Sequence, residues 1–359
     1  MSPVWKVAAF FAQSTAVGLA IAFLVVLIRP DLVSTAQPAA SRGVASYADA
    51  VSVSAPAVAT IYTERTFTPS NAPPGVALRG RALGSGVVID RRGYVVTNWH
   101  VIRDAEEIGV QLSDGRVATP RIVGSDPETE LALLKIDLPD LPSIALGRSD
   151  GLQVGDVVLA IGNSLGLSQT VTMGIVSATG RGQLGITEFE DFIQTDAAIN
   201  VGNSGGALVD SRGELVGINT AVISAAPRDQ TMPEGIGFAI PVNLVRGVME
   251  QLIANGRVIR GYLGVDTNDL PEAQARQLGI DGSAVLLRDV SGPAAAAGLK
   301  PGDVLTHING QRMFTGQQAM NLVASSQPGT HIKVRVARPN GAAFQTEAVL
   351  EERPPQGGG

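Results

Sequence analysis

The sequence predicts a mainly β protein in two folded units, preceded by one apolar helix of bilayer length. Short apolar runs recur between turns rich in Gly, Asp, Ser and Pro, as the strands of a β-barrel or sandwich do. Gly is abundant at 42 residues while aromatics make up 4%, which suits a turn-rich β protein better than a helical bundle. With 359 residues the chain can support two or three domains, each with its own core.

The helix comes first. Val7 to Ile28 is apolar apart from Gln13, Ser14, Thr15 and Gly18. That is long enough for a bilayer-spanning helix, which needs roughly 20 residues. A cleaved signal peptide has an apolar core of about 7–15 residues and a small-residue cleavage site. Arg29-Pro30-Asp31-Leu32 is a poor cleavage context, so residues 1–29 read as a stub and an uncleaved anchor. Lys6 and Arg29 flank it nearly symmetrically, and charge alone does not set its orientation. Residues 30–43, rich in Ala, Ser, Pro and Gln, read as a tether.

The first folded unit is placed at residues 44–256. Thr66 to Gly80 reads as a surface loop. Gly86–Ile89 and Tyr94–Val96 flank the turn Asp90-Arg91-Arg92-Gly93, a hairpin signal. Strand-like runs follow at Ile108–Leu112, Ala132–Ile136, Val157–Ile161, Val171–Val176 and Leu215–Asn219. A helix capped by Asn243, with Leu244, Val245, Val248, Met249, Leu252 and Ile253 at 3–4 spacing, runs to Gly256. It closes this unit.

The second unit spans 257–352, and 353–359 reads as a disordered tail. Its strands are predicted at Gly261–Val265, Ala284–Leu287, Val304–Ile308 and Ile332–Val336, with a helix over Thr315–Ser325.

Composition removes several chemistries. Without cysteine there is no thiol nucleophile, no disulfide and no Cys-ligated zinc. The three histidines, His100, His307 and His331, lie in separate regions, so no metal site and no cofactor is expected. A net charge of -6 without a basic run argues against nucleic acid as a main partner.

What remains points to a serine nucleophile. Ser204 sits in Gly202-Asn203-Ser204-Gly205-Gly206, where glycine lets backbone N–H groups converge on one point. The stretch satisfies both G-x-S-x-G and G-[DN]-S-G-G. Two hydrolase classes share it, and chain order separates them. One class runs Ser, acid, His; the other runs His, acid, Ser. His100 precedes Ser204, while His307 and His331 lie in the second unit, so the second order fits.

Four segments carry a family resemblance. Thr97-Asn98-Trp99-His100-Val101-Ile102, Asp126-Pro127-Glu128-Thr129-Glu130-Leu131-Ala132-Leu133-Leu134-Lys135-Ile136 and Asn200–Leu208 resemble the three signatures of HtrA/Deg serine proteases, with Gly235–Pro241 as a fourth match. Tyr262-Leu263-Gly264-Val265 and Gly298–Leu305 resemble that family's PDZ domain. The resemblance covers nearly everything from residue 45 to 352. It implies a chymotrypsin-like double β-barrel followed by a small α+β PDZ domain. An anchor, one protease domain and one PDZ domain is the arrangement of the family's membrane-anchored branch.

Roles follow from the resemblance. Ser204 would be the nucleophile and His100 the base. Glu130 would be the triad acid, where the family carries aspartate. Asp126 is the nearby alternative, but its position assigns it to the preceding turn. Backbone N–H groups of Gly202, Asn203 and Ser204 would form the oxyanion hole. Ala198 and Ile199 would line a small uncharged specificity pocket, giving cleavage after residues such as Val or Ala. Arg181 would belong to a sensor loop at 178–185. Tyr262, Leu263, Gly264 and Val265 would capture a peptide C-terminus, the peptide adding as a strand beside Leu263–Asp266.

The implied partners are a protein substrate, such as a membrane-bound regulator or misfolded envelope proteins, and activating C-terminal peptides of misfolded envelope proteins. The implied assembly is a homotrimer held by its single anchor in the bacterial inner membrane, facing the periplasm. A weakly active or inactive PDZ scaffold or chaperone, or a constitutive periplasmic quality-control protease, stands as the alternative.

Overall fold

The Asp90–Gly93 turn closes a hairpin at the centre of the first sheet. Gly93 N donates to Asp90 O at 3.0 Å, and Ile89 N donates to Tyr94 O at 2.9 Å. The computed structural model describes residues 13–20, 23–24, 46–67, 77–163, 169–220, 235–338 and 342–354. Met1–Tyr47 and Ala48–Gly359 form two separate units. In the first, residues 13–20 and 23–24 are helical, and the rest of the predicted anchor and tether lies outside the described residues. Among the described residues no helix is long and apolar enough to cross a membrane.

The second unit begins with helix α1 (Ala48–Ser54). Seven strands then make one antiparallel sheet: β1 (Val58–Phe67), β2 (Leu78–Val88), β3 (Tyr94–Asn98), β4 (Glu107–Gln111), β5 (Val117–Ala118), β6 (Arg121–Asp126) and β7 (Leu131–Lys135). Their order is β5-β4-β1-β2-β3-β7-β6. The short helix α2 (Trp99–Ile102) follows β3 directly. The loop expected at Thr66–Gly80 is shorter than its composition suggests. β1 and β2 stay paired out to Phe67↔Leu78, with Arg81 on β2 meeting Glu64 on β1 at 2.6 Å, and residues 68–76 lie outside the described residues.

Six strands form a closed barrel: β8 (Val157–Gly162), β9 (Thr170–Arg181), β10 (Phe192–Thr195), β11 (Ala207–Asp210), β12 (Leu215–Thr220) and β13 (Gly237–Pro241). Closure removes exposed sheet edges. Val158, Ala160, Val176, Ile193, Leu208 and Val216 fill its core. Helix α3 (Val242–Asn255) packs across both sheets, against β6 and β7 on one side and β12 and β13 on the other. It buries Val242, Val245, Val248, Met249 and Leu252, each contributing about 1.5–3 kcal/mol. Pro241 takes the cap position expected of Asn243, which lies inside the first turn with its N–H on Ser149 Oγ at 3.2 Å. Gly256 ends the helix at φ +70°.

The C-terminal domain is split at its start. The single strand predicted at Gly261–Val265 is two: β14 (Gly261–Tyr262) and β15 (Val265–Leu270). Gly264, at φ +84°, makes the turn between them, and a Cβ there would sit 2.3 Å from Ser291 O. Helices α4 (Glu272–Gln277) and α5 (Gly292–Ala296) flank β16 (Ala284–Val290). Beyond β17 (Val304–Ile308) and β18 (Gln311–Arg312), helix α6 (Gly316–Ser325) is capped by Thr315, whose Oγ1 accepts from Gln318 N at 3.2 Å. The last strands are β19 (His331–Ala337), β20 (Ala343–Val349) and β21 (Glu351–Glu352).

The main sheet runs β15-β16-β17-β19-β20, leaving β15 at an edge, while β14 pairs with β21. The expected tail begins too early. Arg353 N donates to Arg260 O at 2.9 Å and its guanidinium pairs with Glu188, because β21 carries the chain back to the protease side. Residues 355–359 lie outside the described residues.

Candidate active site

Ser204 sits on a turn clamped from three sides. Ser85 on β2 donates its N–H to Ser204 O at 2.8 Å and its hydroxyl to Gly202 O at 2.7 Å. Asn163, after β8, donates its N–H to that hydroxyl at 2.9 Å. Gly205 N reaches Asn219 O on β12 at 2.8 Å. Glycine is required here. Gly205 has φ +81°, and a Cβ would lie 2.2 Å from Ser85 O and 2.3 Å from Thr97 Oγ1.

Within the turn, Asn203 N donates to Asn200 O at 3.0 Å and Gly206 N donates to Asn203 O at 2.9 Å. Of the three N–H groups predicted to converge on an oxyanion, that of Asn203 is committed inside its own turn.

His100 is the second residue of α2, which follows β3 directly. Its Nδ1 is 2.7 Å from Glu130 Oε2, and its backbone N–H donates to the same oxygen at 3.2 Å. Glu130 follows the 3-10 turn Pro127–Thr129 between β6 and β7, in the left-handed region at φ 60°. Side chains other than Gly, Asn and Asp seldom adopt it. Two bonds hold it there: Trp99 N and Asn98 Nδ2 both donate to Glu130 O, at 3.0 and 3.1 Å. His100, Gly202 and Ser204 line one cavity of about 250 Å³.

Thus the structure brings His100, Glu130, Gly202 and Ser204 together. Asp126, the other carboxylate, points elsewhere. It is 3% exposed and takes both terminal nitrogens of Arg260, at 3.0 and 2.5 Å. Arg260 also meets Glu128 at 2.9 Å and lies over the Phe189 ring. Burial pushes the Glu128 carboxyl up, against the opposing pull of Arg260 and Arg353.

Ala198 is exposed, its carbonyl accepting from Thr172 Oγ1 at 2.8 Å. Ile199 packs partly buried on the barrel core. Arg181 ends β9 and donates Nε to Gln194 at 2.9 Å, so the expected sensor segment is strand as far as residue 181. Just beyond it, Gln183 bonds Asp269 on β15. Leu263 is buried in the C-terminal core, Tyr262 sits beside Ser291 at 3.5 Å, and Val265 begins edge strand β15.

Residues 84–218 match the trypsin-like peptidase domain model, and residues 288–338 match the PDZ domain model. The chain is 44% identical to serine endoprotease DegS of Escherichia coli K12 over 336 residues, covering 91% of this chain and 93% of that one. The chain belongs to the HtrA/Deg family of serine endopeptidases. It is also 42% identical to the periplasmic pH-dependent serine endoprotease DegQ of the same organism, over 80% of this chain and 63% of that one. Among solved structures, the HtrA-type protease AlgW with a tripeptide superposes with a TM-score of 0.74 at 50% identity, covering 87% of this chain and 99% of that one.

Sequence reasoning missed the supports of this HtrA-type site. Ser85 hides in an unremarkable Gly-Ser-Gly stretch, and its partner Gly202 is 117 residues away. Arg260 carries no local signal either, since Asp126 lies 134 residues before it.

Proposed function

We propose that Ser204 is the nucleophile of this endopeptidase, with His100 as its base and Glu130 as the acid that orients it. The supporting observation is the 2.7 Å contact between His100 Nδ1 and Glu130 Oε2, with Ser204 lining the same cavity. A carboxylate on Nδ1 fixes the tautomer that leaves Nε2 to accept the serine proton. Ser204 Oγ then attacks the scissile carbonyl, and His100 returns the proton to the departing amine. Water hydrolyses the acyl-enzyme by the same route. The N–H groups of Gly202 and Ser204 stabilise the oxyanion, each worth about 3–4 kcal/mol. Ala198 and Ile199 limit the side chain before the cleaved bond to small apolar residues.

In this reading, the C-termini of misfolded envelope proteins bind at Tyr262, Leu263, Gly264 and Val265 and extend along β15. Its open edge supports strand addition. Arg181 and the loop after it relay occupancy, supported by the bonds from Asn321 Nδ2 on α6 to Glu190 O at 2.8 Å and from Gln317 Nε2 to Glu188 O at 3.0 Å. The apolar run Val7–Ile28 anchors the chain in the inner membrane, facing the periplasm, and the working form is a trimer. Its substrate is a membrane-bound regulator of an envelope stress response.

Casein cleavage with and without an apolar C-terminal peptide tests the reading. Cleavage should rise severalfold with peptide and vanish in Ser204→Ala. Peptide-independent cleavage would instead support constitutive quality control, and Ser204-independent cleavage would remove the nucleophile assignment.

A further inference from the structure

The cavity shared by His100 and Ser204 is lined mostly by β1, β2 and the segment from α2 to Ala105. Its lining includes Leu83 and Val101, with Arg65, Arg103 and Asp104 at the outer end, and includes neither Ala198 nor Ile199. The reaction says which part of a substrate lies there. The residue before the cleaved bond faces Ala198 and Ile199, while the amine departs past His100, which protonates it. This cavity therefore holds the residues that follow the bond.

Its rim carries two cations and one anion. Asp104 stands 3.7 Å from Arg65 and 3.4 Å from Arg103. Two carboxylates next in sequence to lining residues are engaged elsewhere. Glu64 is held by Arg81 at 2.6 Å, and Glu106 accepts from Thr66 N and Oγ1 at 3.1 and 3.0 Å. Arg103 is also steadied, its guanidinium lying 5.4 Å from the centroid of the Trp99 ring. A single carboxylate shared between two guanidinium groups leaves donors for a second.

We propose that Arg65 and Arg103 select substrates with an acidic residue two or three positions after the cleaved bond. This rests on the roles given above to Ser204 and Ala198. Asp104 competes with the substrate carboxylate and so moderates the selection.

The test uses the full-length protein and peptides identical except for Glu, Gln or Lys at the second position after the bond. Expected kcat/KM falls in the order Glu, Gln, Lys by about threefold per step, the size of an exposed ion pair. The ranking should shrink in about 0.5 M salt, which screens exposed charges. Arg65→Gln with Arg103→Gln leaves Asp104 as the charge at the rim, so the preference for Glu should vanish and the order should level or invert toward Lys. Asp104→Asn should widen the spread. Equal rates in the parent, or an unchanged ranking in the double variant, would overturn the proposal. Exchanging Val for Lys before the bond reads the Ala198 pocket separately, so failure there shows in a different pair of peptides.

Discussion

Around Ser204 the hydrogen bonds come from Ser85, Asn163 and Asn219, all within the protease domain. Around Glu130 the support reaches further. Its own carbonyl is held by Trp99 and Asn98, but the turn that launches it begins at Asp126, and Asp126 is gripped by Arg260 at the entry to the C-terminal domain. Arg353, from the far end of that domain, closes the same cluster through Arg260 O and Glu188. Phe189 lies under both guanidinium groups, and its N–H donates to Glu128 O at 3.1 Å. The proposed nucleophile is thus held within one domain, while the turn that carries the proposed acid contacts two.

The most severe way to probe this contrast is at the acid itself. Glu130→Gln keeps the shape but not the charge, and kcat should fall about 10⁴-fold. Glu130→Asp, which shortens the reach, should hold within about tenfold or improve. A large loss there would mean that this site has adapted to glutamate, or that another carboxylate serves His100.

Next comes the distant support. Arg260→Ala leaves Asp126 buried without its partner, and stability should drop by about 3–5 kcal/mol in urea unfolding. Activity should drop as well, through kcat rather than KM, if the acid's turn depends on that grip. Lost stability with an unchanged kcat would reduce the cluster to a structural joint.

The smallest effect is expected at Glu128. Burial raises its carboxyl pKa, so the folded chain holds that proton more tightly than the unfolded chain does. The stability this provides is complete below the ordinary carboxylate value and is lost as pH rises through the raised one. In Glu128→Gln, the fall in stability above about pH 4.3 should flatten by less than one proton's worth of slope.

Much of the fold was legible because strands and caps leave local marks. The Asp90–Gly93 hairpin, the runs that became β4, β7, β8 and β12, and the helix ended by Gly256 were all read from turn residues and periodicity. β1 and β6 were not, since Val58–Phe67 and Arg121–Asp126 mix polar and charged residues that only their neighbours bury or pair. In the same way, the strand expected through Leu263 broke at Gly264, where Ser291 presses against the backbone.

By itself the sequence determined the reaction class. A serine in a glycine-flanked turn, a histidine before it and the order of the two are local or one-dimensional facts. The tertiary structure supplied the contacts themselves: the expected acid, Glu130, meets His100, and the alternative, Asp126, is bound to Arg260. It also drew Arg353 out of the expected tail. Those contacts depend on strand register and on how two domains meet. An ion pair spanning more than a hundred residues has no local signature, because its energy exists only once both partners are buried together.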